Sequence, residues 1–243
     1  MGMHLMKVIS YIIHLDRAAG RRGNVRTLQQ RLCTPTSVIP AIDGERLTAE
    51  ILDKHVRRQV HWPRYPFLLS RNEVACFLSH RSVWSAIVED GVDAGLVLED
   101  DATTTPDFRG AYDFALSVLH QGSFIRFPHR QDKETGTTLA RNGSYQLLEP
   151  YPVGLGMVAQ LVTREAAIRL LTATDQFDRP VDTFAQMYWI TGVRPLSIRP
   201  SGIMEISKDL GGSTIKHDKS LPDKIVREVL RPIYRKKIQY LSA

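Results

Sequence analysis

The sequence predicts an α/β fold: one large domain with a mainly parallel central sheet flanked by helices, followed by a basic C-terminal helix. Three observations carry this. Short apolar, β-branched runs alternate along the chain with longer segments of helical periodicity. One such run, Ala94-Gly95-Leu96-Val97-Leu98, ends abruptly in Glu99-Asp100-Asp101. The 243 residues, 43% hydrophobic and 24% charged, suffice for a sizeable core with at most a small appendage.

Residues 7–15, rich in β-branched and aromatic side chains, read as the first strand. The following 22–32 read as a helix. Residues 37–42 read as a second strand, closed by the Asp43-Gly44 turn. Residues 48–59 are helical and highly charged, and 62–66 form a loop because two prolines restrict it. Residues 70–89 predict a long helix. Ser70 and Glu73 have capping-box spacing, Val74, Phe77, Leu78, Val83, Trp84, Ile87 and Val88 make a broad apolar stripe, and Gly91 ends it. Cys76 and Trp84 read as core residues of that helix.

The strand into Glu99 comes next, then a turn at Pro106, a helix over 108–119 and a strand over 123–127. The polar stretch 130–144, with Gly136 and Gly143, reads as a hairpin or a mobile loop. Strands are predicted over 145–148, 156–163 and 193–198, and helices over 164–172 and 183–189. Residues 211–215 read as flexible. Residues 222–240 read as a basic helix, either lying on an anionic membrane surface or packed on the core.

The net charge of +6 favours anionic partners: nucleotides, nucleic acid or an anionic membrane. No zinc-type Cys/His spacing or aromatic RNA-binding strand supports nucleic acid, so none is expected. Two cysteines, Cys33 and Cys76, make no disulfide framework, and a cytoplasmic location is expected. No apolar stretch approaches the ~20 residues that span a bilayer. The apolar run 8–13 is short and reads as a strand rather than a signal peptide.

Acids at the end of a buried strand face the crevice where α/β sheets bind ligands. Three adjacent carboxylates repel one another, and a hard divalent cation carrying phosphates would neutralise them. The competing reading is a helix start or turn before Thr103-Thr104-Thr105-Pro106. Arg17, Arg21 and Arg22 follow the first strand and suit a diphosphate, or form a solvated helix start. Ser79 and His80 are adjacent on a helix and point in different directions, so they are not read as a nucleophile–base pair.

The segment Asn72-Glu73-Val74-Ala75-Cys76-Phe77-Leu78-Ser79-His80, with Trp84, combined with Leu98-Glu99-Asp100-Asp101, resembles glycosyltransferase family 25. That family comprises lipooligosaccharide and lipopolysaccharide sugar transferases, with collagen galactosyltransferases as distant relatives. Ile13-His14-Leu15-Asp16-Arg17, Pro40-Ala41-Ile42-Asp43-Gly44, the 156–167 segment and Pro180-Val181-Asp182 are similar to further family segments, in the same order. The chain departs from the family at His14, where Asn is usual, at Ala75, often Gly, and over 156–159, which lacks a Tyr.

The resemblance implies a GT-A-like catalytic domain over residues 1–220 with a basic tail over 221–243. It implies an inverting, metal-dependent hexosyltransferase that uses a UDP-sugar and Mn2+ or Mg2+. The sugar, galactose or glucose, would pass to a lipopolysaccharide or lipooligosaccharide core, a glycolipid or oligosaccharide acceptor, with peripheral contact at the inner membrane. Asp101 would be the direct metal ligand, with Glu99 or Asp100 holding the ribose or a metal-bound water, and His217 a further ligand or an exposed His. Arg17 and Arg21 would face the diphosphate. His80 would bind a strand-end carboxylate or the sugar, or serve as a satisfied core histidine. An inverting transfer needs a base for the acceptor hydroxyl. Asp182 is the candidate, its other reading being a helix cap, and Glu73 is the rival with a capping role available. The alternative for the whole chain, motivated by its departures, is a catalytically weakened homologue that binds nucleotide sugar or scaffolds a glycan-assembly complex.

Overall fold

The computed structural model describes residues 6–130, 134–211 and 221–242. It is a mixed α/β structure built on an eight-stranded sheet. In chain order the elements begin with β1 (Val8–His14), α1 (Arg22–Arg31), β2 (Thr36–Pro40), α2 (Ala49–His55), α3 (Arg71–Glu89) and β3 (Ala94–Glu99). Next come β4 (Ala102–Thr104), α4 (Phe108–Ser117), β5 (Phe124–Arg126), β6 (Gly136–Asn142), β7 (Tyr145–Pro150) and β8 (Ala159–Thr163). The last are α5 (Arg164–Ala173), α6 (Val181–Ala185), α7 (Tyr188–Thr191), β9 (Pro195–Arg199), β10 (Ile203–Glu205) and α8 (Leu221–Leu241).

The strand order is β2-β1-β3-β8-β5-β9-β7-β6. Strands β2, β1, β3, β5, β9 and β6 run one way, and β8 and β7 run against them. The polar 130–144 stretch resolves as the first strand of a hairpin. Only Gly143 and Ser144 separate β6 from β7, a connection too short for anything but antiparallel neighbours. Gly143 supplies the positive φ, 56°, that such a turn requires.

Side chains alternate across the sheet, as strand geometry demands. Ile12, Leu96, Leu98 and Leu161 face one core with Val25 and Leu28 of α1 and Phe108, Ala111 and Tyr112 of α4. Tyr11, Ile13, Val97 and Val162 face the other, with α3, α5 and α6. Helix α3 lies so close to the sheet that a Cβ on Gly95 would stand 2.5 Å from Ile87 and 2.9 Å from Tyr11. Its start is the expected capping box, with Ser70 and Glu73 bonding reciprocally.

Four expectations need correction. The helix over 48–59 stops at His55, because Val56 turns extended and bridges Phe177. The strand over 156–163 begins only at Ala159, because Gly156 adopts φ 96° and donates its N–H to Asp182 instead of a neighbouring strand. The helix over 183–189 is two short helices, broken at the buried Met187, whose ψ of 55° leaves the helical region. The Thr-rich turn after Asp101 is partly a strand, β4, which pairs with β10 in a separate two-stranded sheet. No described helix is long and apolar enough to cross a membrane.

Candidate functional site

Strands β1 and β3 are parallel neighbours, with Ile13 opposite Glu99, so both carboxyl ends open onto the same crevice. A cavity of about 540 Å³ occupies it. Arg17, Arg21, Glu73, His80, Glu99, Asp100, Asp101 and Asp182 all line this cavity, gathered from residues far apart in the chain. His217 lies outside the described residues.

The three strand-end acids are in different circumstances. Asp100 is enclosed, at 5% exposure. Its Oδ2 pairs with His14 Nδ1 at 2.8 Å and accepts from the Leu15 N–H at 3.4 Å, while its Oδ1 accepts from Arg21 Nη1 at 2.5 Å. Behind it, Asn24 Nδ2 donates to the carbonyls of Asp100 and Ala102 at 2.9 and 2.7 Å, fixing the turn between β3 and β4. Asp101 Oδ2 lies 3.1 Å from the same Arg21 Nη1. Its buried Oδ1 has no hydrogen-bond partner among the described residues. Burial, then the neighbouring Glu99 charge, pushes its carboxyl up to about 7 against the pull of Arg21. Glu99 is partly exposed, its Oε1 3.1 Å from His80 Nε2.

Helix α3 supplies the facing wall. Cys76 and His80 are one turn apart on the same side. With Glu99 they bring a thiol, an imidazole nitrogen and a carboxylate oxygen within 4.8 Å of one another. Cys76 packs against the core, as its place beside the apolar stripe suggests, and it also lines the cavity. Burial pushes its thiol well up, and the charges of Glu99, Asp182, Asp101 and Glu73 add to that. Trp84 is core, at 2% exposure. Ser79 serves the fold, donating to the Ala75 carbonyl at 2.7 Å and accepting from the Ile42 N–H at 2.8 Å.

Asp182 sits at the start of α6. Its Oδ2 accepts from the Gly156 N–H at 3.1 Å, and its Oδ1 from the Thr183 N–H at 2.7 Å. Burial nevertheless raises its carboxyl above the usual range. Glu73 Oε2 accepts from the Ser70 N–H and hydroxyl at 2.8 and 2.9 Å, the capping role. Arg17 is held by Asp43 at 2.9 Å and Glu45 at 3.3 Å.

Other residues in or behind the cavity wall have roles that the sequence reading did not assign. His14 does what no periodicity announces, seating Asp100 from the adjacent strand. His129 stands 3.2 Å from Glu205, and burial lowers its proton affinity. Arg130, Arg231 and Arg235 line the cavity, are exposed, and make no hydrogen bond or ion pair with a described residue. The last two come from α8, which the buried Arg179 fastens to the body. Arg179 pairs with Asp178 at 2.6 Å and donates to Tyr234 Oη of α8 at 2.7 Å. Tyr234 and Ile238 are buried with Met187 in a separate small core.

The sequence profile of glycosyltransferase family 25, described as an LPS biosynthesis protein, matches residues 7–185. A glycosyltransferase 25 family member of Drosophila melanogaster is 29% identical over 186 residues, covering 72% of this chain and 29% of that protein. The inactive glycosyltransferase 25 family member 3 of Mus musculus is 26% identical over 212 residues, covering 78% of this chain and 35% of that protein. Procollagen galactosyltransferase 1 of Danio rerio is 36% identical over 97 residues, covering 37% of this chain and 16% of that protein. The chain thus spans at most 35% of the length of these relatives. Helix α8 lies beyond the matched residues.

Proposed function

The chain belongs to glycosyltransferase family 25, and on that premise we propose that it is an inverting hexosyltransferase with a GT-A-like fold. It moves galactose or glucose from a UDP-sugar to a lipopolysaccharide or lipooligosaccharide core acceptor. The observation that carries this is the convergence of Glu99, Asp101, His80 and Asp182 on one cavity at the carboxyl ends of β1 and β3.

The residues fit a divalent cation, Mn2+ or Mg2+: Asp101 Oδ1 is buried without a partner, and the Glu99 carboxylate is partly open. Glu99 and Asp101 would hold the ion, which when bound supplies positive charge against the departing diphosphate. Asp100 is the anchor that fixes this pair, since its own oxygens are taken by His14 and Arg21. Arg17 and Arg21 are engaged with acids, so Arg130, Arg231 and Arg235 are the cations that meet the diphosphate. Asp182 takes the proton of the acceptor hydroxyl. Its raised proton affinity brings it nearer neutral pH, where a general base works best. The outward side of α8 exposes Val229, Ile233 and Tyr240 beside Lys236 and Lys237, which suits an acceptor at the cytoplasmic face of an anionic membrane.

A second reading, a catalytically weakened homologue that binds nucleotide sugar, is favoured by the similarity to a mouse relative named inactive. Purified protein incubated with UDP-, GDP- and CMP-sugars, with and without Mn2+, separates the two. Mn2+-dependent turnover of one UDP-hexose, lost in Asp101→Ala, supports the transferase. Binding without turnover in the presence of acceptor supports the second reading, and no binding by folded protein sinks both.

A further inference from the structure

We propose that Cys76, His80 and Glu99 form a seat for a transition-metal ion of the zinc class, distinct in chemistry from a magnesium-type site of oxygens alone. The three donors come from two elements, α3 and the end of β3, and their ligand atoms already lie within 4.8 Å of one another. A tetrahedral zinc with bonds of about 2.0–2.3 Å needs its donors about 3.3–3.8 Å apart, a closure that side-chain rotation supplies. The fourth position opens into the cavity that all three residues line.

Two further observations point the same way. Cys76 packs against the core beneath α3 and also borders the cavity. A cysteine serving only as core is surrounded by apolar groups, whereas this thiol looks into a wall bearing Glu73, Glu99, Asp101 and Asp182. Behind His80, the fully buried Gln160 of β8 reaches Nδ1 with its amide at 3.3 Å, and its Oε1 has no partner. No other described residue hydrogen-bonds that amide, so it can turn its oxygen to Nδ1–H. That is the support a metal-bound histidine uses, leaving Nε2 as the lone pair that faces Glu99 at 3.1 Å. Sulfur and imidazole donors select Zn2+ over Mg2+. On binding, the cation takes the place of the thiol proton, which passes to solvent. Glu99 Oε2 makes no hydrogen bond with a described residue and stays available to a cation on Asp101.

The site stands on its own geometry and not on the transferase reading, and its test uses no sugar donor. The full chain is stripped with a chelator and titrated with Co2+, Zn2+ and Mg2+ while the absorption spectrum and heat are recorded. The expected result is one equivalent of Co2+ with a sulfur-to-cobalt charge-transfer band, displaced by Zn2+ and not by excess Mg2+. Cys76→Ser abolishes the band with the circular dichroism unchanged, and Cys33→Ser, at the exposed second cysteine, leaves it intact. Gln160→Met, which removes the supporting carbonyl, weakens binding about 10- to 100-fold. A folded wild type without the band, a band that survives Cys76→Ser, or displacement by Mg2+ overturns the proposal. Should Cys76→Ser fail to fold, Cys76→Ala and the Gln160 variant decide by the same readouts. Donor turnover measured separately tells loss of this site from loss of transferase activity.

Discussion

Asp100 and Asp101 are adjacent in sequence, sit at the end of the same strand and share one guanidinium, yet their surroundings differ in kind. Asp100 has a histidine, an arginine and a backbone N–H on its two oxygens. Asp101 keeps one oxygen buried with no hydrogen-bond partner among the described residues, and its carboxyl is pushed up to about 7. A polar group sealed and satisfied stabilises a fold, and one buried and unsatisfied is stored for a ligand. The comparison assigns structure to the Asp100 side and chemistry to the Asp101 side, where Glu99, His80 and Asp182 also stand.

The sharpest way to break that assignment lies on the open side. Asp182→Asn should lower kcat about 10²- to 10⁴-fold while donor binding survives. A kcat unchanged in single-turnover kinetics would return Asp182 to a capping role. On the sealed side, Asp100→Asn should cost about 1–3 kcal/mol of stability, because Arg21 loses the nearer of its two carboxylate partners and His14 faces a neutral amide. Urea unfolding measures it, and a loss of activity without a loss of stability would reverse the roles of the two acids. Arg231→Met with Arg235→Met should raise the donor KM about tenfold, as expected for lost charged hydrogen bonds, with the melting temperature unmoved.

A separate effect is a pH dependence in the metal-free protein. The raised carboxyl of Asp101 means that the folded chain keeps a proton the unfolded chain has already released. This group's stabilising contribution is complete below its unfolded pKa of about 3.9 and is lost as pH rises through about 7. Asp101→Asn should flatten that part of the melting-temperature profile, and a profile that keeps its slope would assign it to another group.

Much of this was legible before any coordinates. The capping box of α3, the strand into Glu99 and the hairpin reading of 130–144 rest on local rules, and local rules are what a sequence displays. The position of Asp182 near the acids was readable only through family resemblance. What stayed hidden is long-range. His14 and Arg21 sit 86 and 79 residues from the Asp100 they enclose. Cys76 read as core because it adjoins an apolar stripe, and periodicity does not say which neighbours the edge of a stripe meets. For α8, the pattern of basic and apolar residues announced a helix but not its berth. That depends on Arg179 reaching Tyr234 across the fold.

Gly156 carries no functional group, yet its backbone torsion sets how Asp182 holds a proton. At φ 96° its N–H points at the carboxylate, a conformation closed to most residues, and a Cβ there would stand 3.1 Å from His129 Cε1. Turning that N–H away would strip the carboxylate of a donor that lowers its proton affinity. A change at a residue without a side chain would then surface in the acid limb of a pH–rate profile, where a geneticist would mistake it for a lesion in an acid–base residue.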